Sequence, residues 1–492
     1  MNPAAYGEAP GACAFTPQGS HGPDRISRNL FDNAGQLLQV QKAFGTPLQQ
    51  NYVTYTYSPN GRQASVTDAN GNRAELRYDG HDRQVRWVFP SKTSAGSVDE
   101  ADYEAYGYDA AGNRISLRKR DGSTLAFSYD NLNRVTIKGV PASATGAAGY
   151  TVFYGYDARG LQTYARFGSA SGPGVWSSYD SLGRVTSNGT SMDGTSRTLG
   201  YGYDAHGNRI SVSSGAGYAA GWTFDPADRM TAIGDGGGTA ALLGYDNAGR
   251  RQSLAFGGGA ASSSYGYDVL SRLQSLGHDL AGAASDQGLA FGYNAASQIV
   301  AKTSANDGYA SNTAYDVSRA YAVNGLNQYT AAGPASFGYD ANGNLTSDGS
   351  TTFVYDAENR LVSASGAKNA ALSYDPLGRL WQVTGGGATT RLRYDGDELI
   401  EEYDGTGNRL RSYVHGAGTD DPVLWYEGPG ASTRRSLHAD HQGSIVAIAD
   451  SAGNKLAVMC LPDGCECNLR PLRRGRRGES SGFRKGKYAG NS

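Results

Sequence analysis

Tyr203-Asp204-Ala205-His206-Gly207-Asn208-Arg209, Phe224-Asp225-Pro226-Ala227-Asp228-Arg229, Tyr245-Asp246-Asn247-Ala248-Gly249-Arg250 and Tyr267-Asp268-Val269-Leu270-Ser271-Arg272 follow one another with their aromatics 21 to 22 residues apart. Each unit reads as strand, turn, strand. An aromatic ends a short alternating strand, as in Leu125-Ala126-Phe127-Ser128-Tyr129. The Asp after it can accept a hydrogen bond from backbone two residues on. Gly or Asn then supplies the left-handed turn position. Arg and an apolar residue open the return strand, as in Arg134-Val135-Thr136. Turn signals at this spacing, with helical periodicity nearly absent, predict all-β architecture.

Working outward, the unit recurs as Tyr108-Asp109-Ala110-Ala111-Gly112-Asn113-Arg114, Tyr179-Asp180-Ser181-Leu182-Gly183-Arg184 and Tyr374-Asp375-Pro376-Leu377-Gly378-Arg379, with weaker copies from Phe31-Asp32 to Tyr394-Asp395. A hairpin this short cannot bury its own face, so neighbours must stack into one sheet. The predicted fold is a repetitive β-hairpin spiral sheet, solenoid-like or partly closed. Repeated Asp residues favour turn formation over a calcium or catalytic role, since a catalyst needs one site. The residues expected to carry the wall are Tyr108, Asp109, Gly112, Arg114, Tyr179, Asp180, Gly183, Arg184, Tyr203, Asp204, Gly207, Arg209, Tyr245, Asp246, Gly249, Arg250, Tyr374, Asp375, Gly378 and Arg379. Arg is expected to bond between turns, to the Asp of a neighbouring unit.

Composition agrees. Gly supplies 70 residues and Tyr 33, and the aromatic content argues against disorder. Tyr buries a large ring while its hydroxyl finds a polar partner, so a thin wall can be ordered without a thick aliphatic core. A net charge of −2 with mixed signs gives no footprint for nucleic acid or anionic membrane. No apolar run approaches a membrane span, and no signal peptide is read at the N-terminus. Cys13 stands apart from Cys460, Cys465 and Cys467, so no disulfide framework is expected.

The Tyr-Asp-x-x-Gly-(Asn)-Arg units resemble the YD repeats of bacterial Rhs proteins, wall-associated toxins, insecticidal toxin-complex C components and teneurins. After them, Tyr413-Val414-His415-Gly416, Trp425-Tyr426-Glu427-Gly428 and Leu437-His438-Ala439-Asp440-His441-Gln442-Gly443-Ser444 resemble the start of the Rhs core region. The resemblance implies a YD-repeat shell that encloses a C-terminal toxin, works with a secretion apparatus, and is secreted or held at the cell surface. The expected organisation is an irregular lead-in at 1–30, YD-repeat shell at 31–412, core-region start at 413–459 and a divergent Cys/Arg-rich tail at 460–492. The tail breaks the pattern abruptly after Leu456-Ala457-Val458; out-of-frame sequence is the expected reading, with a basic tail for nucleic acid or membrane and a metal knuckle of Cys460, Cys465 and Cys467 as the alternatives. No cleavage motif or payload is recognised, and Asp375-Pro376-Leu377-Gly378 reads as an ordinary turn. With repeat-like sequence already present at Leu30-Phe31-Asp32, the chain is expected to be truncated at both ends.

Three groups were weighed for chemistry. His438, Asp440 and His441 carry ligand types suited to a metal, but a turn explains them as well, and no metal or cofactor is expected. Glu401-Glu402 and Asp420-Asp421 are the local acid pairs; adjacent strand residues point to opposite faces, which counts against a two-carboxylate glycosidase. Catalysis is therefore not expected. Trp87, Trp176, Trp222, Trp381 and Trp425 could stack on sugars, making a carbohydrate-binding adhesin the alternative to an encapsulating shell.

Overall fold

The computed structural model describes residues 26–215, 217–310, 318–430 and 432–458. Most of the lead-in and the whole 460–492 tail, with all four cysteines, lie outside them. Within them run forty strands, from Arg28–Phe31 to Lys455–Val458, and two 3-10 turns, Ala283–Ser285 and Asp307–Tyr309. No helix among the described residues is long and apolar enough to cross a membrane. The all-β expectation holds.

The strands form sheets of 24, 3 and 13 members. Ladders are antiparallel and join strands consecutive in the chain, so each sheet is a meander. The first sheet ends at Ser304, and the last runs unbroken from Gly338 to Val458, straight through position 413. None closes into a barrel. One edge of the ribbon carries the Tyr-Asp turns and the other the connecting loops, except that the turn at Tyr403-Asp404 directly follows that at Tyr394-Asp395 and so lies on the other edge.

The two edges differ in a way that coils the ribbon. Between Arg114 and Ser304, all eight Tyr-Asp hairpins shift register beside the aromatic, as where Tyr129 pairs with Val135 but Ser128 pairs with Ile137. Of the eight ladders turning at the opposite edge, one shifts. A bulge bends its strand and adds right-handed twist. Bulges concentrated at one edge therefore curl the ribbon in one sense.

After twenty strands the ribbon meets itself. The turn following the eighth strand (Arg114–Arg118) contacts the turn following the twenty-eighth (Gly338–Tyr339), where the Asp121 amide donates to Asn342 Oδ1 at 3.1 Å. The loop following the tenth strand (Val135–Val140) meets the turn following the thirtieth (Thr351–Tyr355): Thr145 donates to the Tyr355 carbonyl at 2.7 Å, and Lys138 pairs with Glu358 at 2.8 Å. The chain after the sixteenth (Arg209–Ser214) reaches the thirty-sixth (Arg409–His415), where Tyr218 donates to the Tyr413 carbonyl at 2.9 Å. Each winding is thus ten hairpins. The Tyr-Asp edge of the second winding docks on the opposite edge of the first, forming a seam.

Past this point the windings also meet face to face. Leu199, Val212, Trp222, Ile233, Leu243, Leu254 and Phe256 of the first winding share one buried cluster with Ile400, Val414, Leu424, Tyr426 and Ala447 of the second. A thin wall without a thick apolar core describes the earlier hairpins only. Here aliphatic burial, worth about 1.5–3 kcal/mol for each large side chain, joins two layers.

Candidate functional site: the repeat edge and the seam

In the unit starting at Tyr129, Asp130 Oδ1 accepts from the amides of Leu132 and Arg134 at 2.9 and 3.0 Å. Oδ2 accepts from Arg134 Nε at 2.7 Å. The guanidinium, held in plane by that carboxylate, lies over the ring of Tyr156 in the next unit, 4.6 Å from its centroid. Tyr156 in turn donates its hydroxyl to the Val135 carbonyl at 2.8 Å. Eight units stack Arg on the next aromatic this way, including Arg184 on Tyr203, Arg250 on Tyr267 and Arg379 on Tyr394. Each such contact contributes about 0.5–1 kcal/mol. The hydrogen bond from Arg134 also holds the Asp130 carboxyl below the usual carboxylate range.

One expectation is corrected here. The carboxylate partner of each such Arg is the Asp of its own turn; the neighbouring unit is reached through the ring and, from Arg134, through the Asp157 backbone carbonyl at 3.3 Å. Fork-to-carboxylate geometry closes at a separation of four residues, whereas the corresponding position of the next turn lies 15 to 26 residues along the chain. Units with an extra Asn work differently. In them Asn113 and Asn208 take the fourth position and donate to Asp109 and Asp204. Arg114 then lies over Tyr106, and Arg209 lies over Trp222 and pairs with Asp395 across the seam at 2.7 Å. Gly112, Gly183, Gly207, Gly249 and Gly378 all hold φ between 78° and 92°, a region nearly closed to other L residues except Asn and Asp.

The turn has two environments. On the free edge the Asp side chains keep 15–24% exposure; in the seam Asp356 and Asp375 keep 3–4%. Leu182 is 77% exposed on the free edge, while Leu377, in the same turn position, packs on Val152, Ala165 and Val175 of the other winding. Leu377→Ala is therefore expected to cost about 1–2 kcal/mol and Leu182→Ala less than about 0.5 kcal/mol. Thermal melting of the two variants compares them directly; equal shifts would mean the seam contributes nothing.

Two buried polar clusters were visible in the sequence only through single members, Glu401 and His438. Glu401, fully buried, accepts from Arg393 at 2.8 Å and Arg409 at 3.1 Å. One carboxylate thus serves two guanidinium groups. Elsewhere in the wall, Ser263 Oγ lies 2.9 Å from His278 Nδ1 and 3.2 Å from His438 Nδ1, and Ser436 Oγ lies 3.1 Å from His438 Nε2. Burial lowers His278 to about 4 and His438 to about 3, so both imidazoles are neutral. Glu401 was legible only as an acid beside Glu402, which faces Arg411 and the Tyr413 hydroxyl. The two adjacent carboxylates face opposite ways, as strand alternation predicts, and both faces are covered here, since Ile400 and Glu401 are both buried.

The weighed metal group does not converge. His438 points into the seam, the Asp440 carboxylate caps the Gln442 and Ser444 amides, and His441 packs its ring on Phe291, 4.7 Å between centroids. Among the described residues no three His, Cys, Asp or Glu side chains are placed to hold a metal ion. Asp421 lies 3.4 Å from Arg251. Trp222 and Trp425 are buried in the wall, and Trp87 stacks on Phe89. Trp176 and Trp381 instead line one 240 Å3 cleft between the windings.

The family model "Teneurin YD-shell" matches residues 251–460, and "RHS Repeat" matches 57–88, 108–142 and 203–240. The tRNA nuclease WapA of Bacillus subtilis (strain 168) is 36% identical over 138 residues, covering 27% of this chain and 6% of WapA. The tRNA(Glu)-specific nuclease WapA of Bacillus subtilis subsp. natto (strain BEST195) is 34% identical over an equal span. This chain matches only a small fraction of these relatives' length. Among solved structures, a TcdB2-TccC3-Cdc42 crystal structure superposes with a TM-score of 0.50 at 14% identity, over 88% of this chain and 30% of that one. At that identity the likeness concerns the fold.

Proposed function

We propose that this chain is Rhs/YD-repeat wall material for a hollow shell enclosing a toxin polypeptide, with no catalysis of its own. The observation that supports this most is the seam: the repeat edge of one winding is the docking surface for the other, so a coiled ribbon becomes a continuous wall. The repeated Asp residues fit the same reading, because they are spread along an edge rather than gathered at a cleft. The enclosed partner would be a toxin such as the nuclease for which WapA is named, handed over by a secretion apparatus and acting outside the producing cell. Such a wall protein is expected to show no nuclease activity when purified.

The test is protection. A protease-sensitive reporter peptide joined to the C-terminus of the full chain should be cut far more slowly than the same peptide free in solution. Opening the wall with denaturant should remove the difference. Cleavage at the free-peptide rate under native conditions would end the proposal.

A further inference from the structure

Two of the five tryptophans meet between the windings in a cleft whose other lining includes Asn188, Thr190, Arg393 and Asp397. Trp176 comes from the strand Gly174–Tyr179 and Trp381 from Leu380–Gly385. Trp176 lies against Gly189, its cross-strand partner, whose missing Cβ leaves room for the indole. The volume, 240 Å3, is below that of drug-sized sites and on the scale of one sugar ring.

The polar groups of this lining are incompletely satisfied. Arg393 is 4% exposed and gives Nη1 to Glu401, but its buried Nη2 has no hydrogen-bond partner. The buried Thr190 Oγ1 has none either. Unpaired buried polar atoms cost about 1–3 kcal/mol each. Glu401 is divided between Arg393 and Arg409, which leaves Arg393 Nη2 facing no acceptor. A carboxylate oxygen on the ligand answers Arg393 Nη2, a flat ring face answers the indoles, and ring hydroxyls answer Asn188 and Thr190. We propose that the seam cleft between Trp176 and Trp381 binds a single hexuronic-acid residue, its carboxylate toward Arg393 and its ring beside the indoles.

The experiment titrates the full chain with glucuronic acid and, separately, with glucose, following binding by calorimetry and tryptophan fluorescence. Saturable glucuronate binding is expected, with glucose at least about tenfold weaker, the difference one charge-assisted hydrogen bond makes. Thr190→Val, which keeps the shape and removes the hydroxyl, should weaken glucuronate about fivefold or more. Trp381→Leu should weaken it beyond detection, while Trp87→Leu, outside the cleft, leaves it unchanged; melting curves verify that each variant is folded. The proposal is overturned by absent saturation, by equal binding of the two sugars, or by undiminished binding in folded Thr190→Val and Trp381→Leu.

Discussion

Glu401→Gln is expected to destabilise the protein by about 3–5 kcal/mol, the range for removing one partner of a buried ion pair. Glu401 has no exposed surface, and the side chains of Arg393 and Arg409 keep 4% and 6%. Arginine stays protonated at any accessible pH. Without the carboxylate, two guanidinium groups would face each other in a medium that screens them poorly. Glutamine keeps the size and one acceptor, so packing loss is a minor part of the effect. Denaturant titration of wild type and variant measures it. The triple substitution Arg393→Met, Glu401→Leu, Arg409→Met should recover much of the loss, since apolar replacement of a whole buried charge group is often neutral or stabilising. A loss below about 1 kcal/mol for Glu401→Gln would show that water reaches the cluster.

Acid should weaken the wall before it titrates the turns. His278 and His438 fall in the folded state to about 4 and about 3, against about 6.5 in an unfolded chain. The unfolded chain then binds more protons as pH drops, so stability is complete above pH 6.5 and declines toward pH 4. At pH 5 each imidazole contributes a loss of roughly 2 kcal/mol. The turn aspartates respond at lower pH, because their native partners hold Asp130, Asp225 and Asp246 below the ordinary range. His206 on the free edge is shifted upward by Asp228, an exposed pair of opposite sign and small weight. Denaturation midpoints at pH 7 and pH 5 should differ clearly in the wild type and much less in His278→Leu/His438→Leu. Identical wild-type midpoints would refute the assignment.

The hairpin was readable because its determinants are local. Tyr, Asp, Gly and Arg within seven residues fix the strand end, the carboxylate-capped turn and the return strand, and these are where the sequence placed them. What Arg does next was only half readable: an ion pair was foreseen, but its closure within the turn and the ring stack beyond it depend on the pitch between hairpins. A spiral sheet was expected, but the places where one winding meets the next were hidden. Asp121 and Asn342 are 221 residues apart, and neither carries a mark of the other. For the same reason the Glu401 and His438 clusters looked like an acid pair and a metal motif, since both acquire their meaning from what covers them. The tryptophans divide similarly, two buried in the wall and two brought together only by the seam.

The meander has a consequence for biosynthesis. As the chain leaves the ribosome, every new strand finds its partner already made, because that partner is the one translated just before it. No sheet edge waits for a distant mate, which spares the nascent chain the slow long-range closures that expose aggregation-prone intermediates. Only the seam must wait, for about 200 residues, or roughly 10–40 s of translation. The wall can therefore be laid down course by course, each later winding setting on masonry that has already turned.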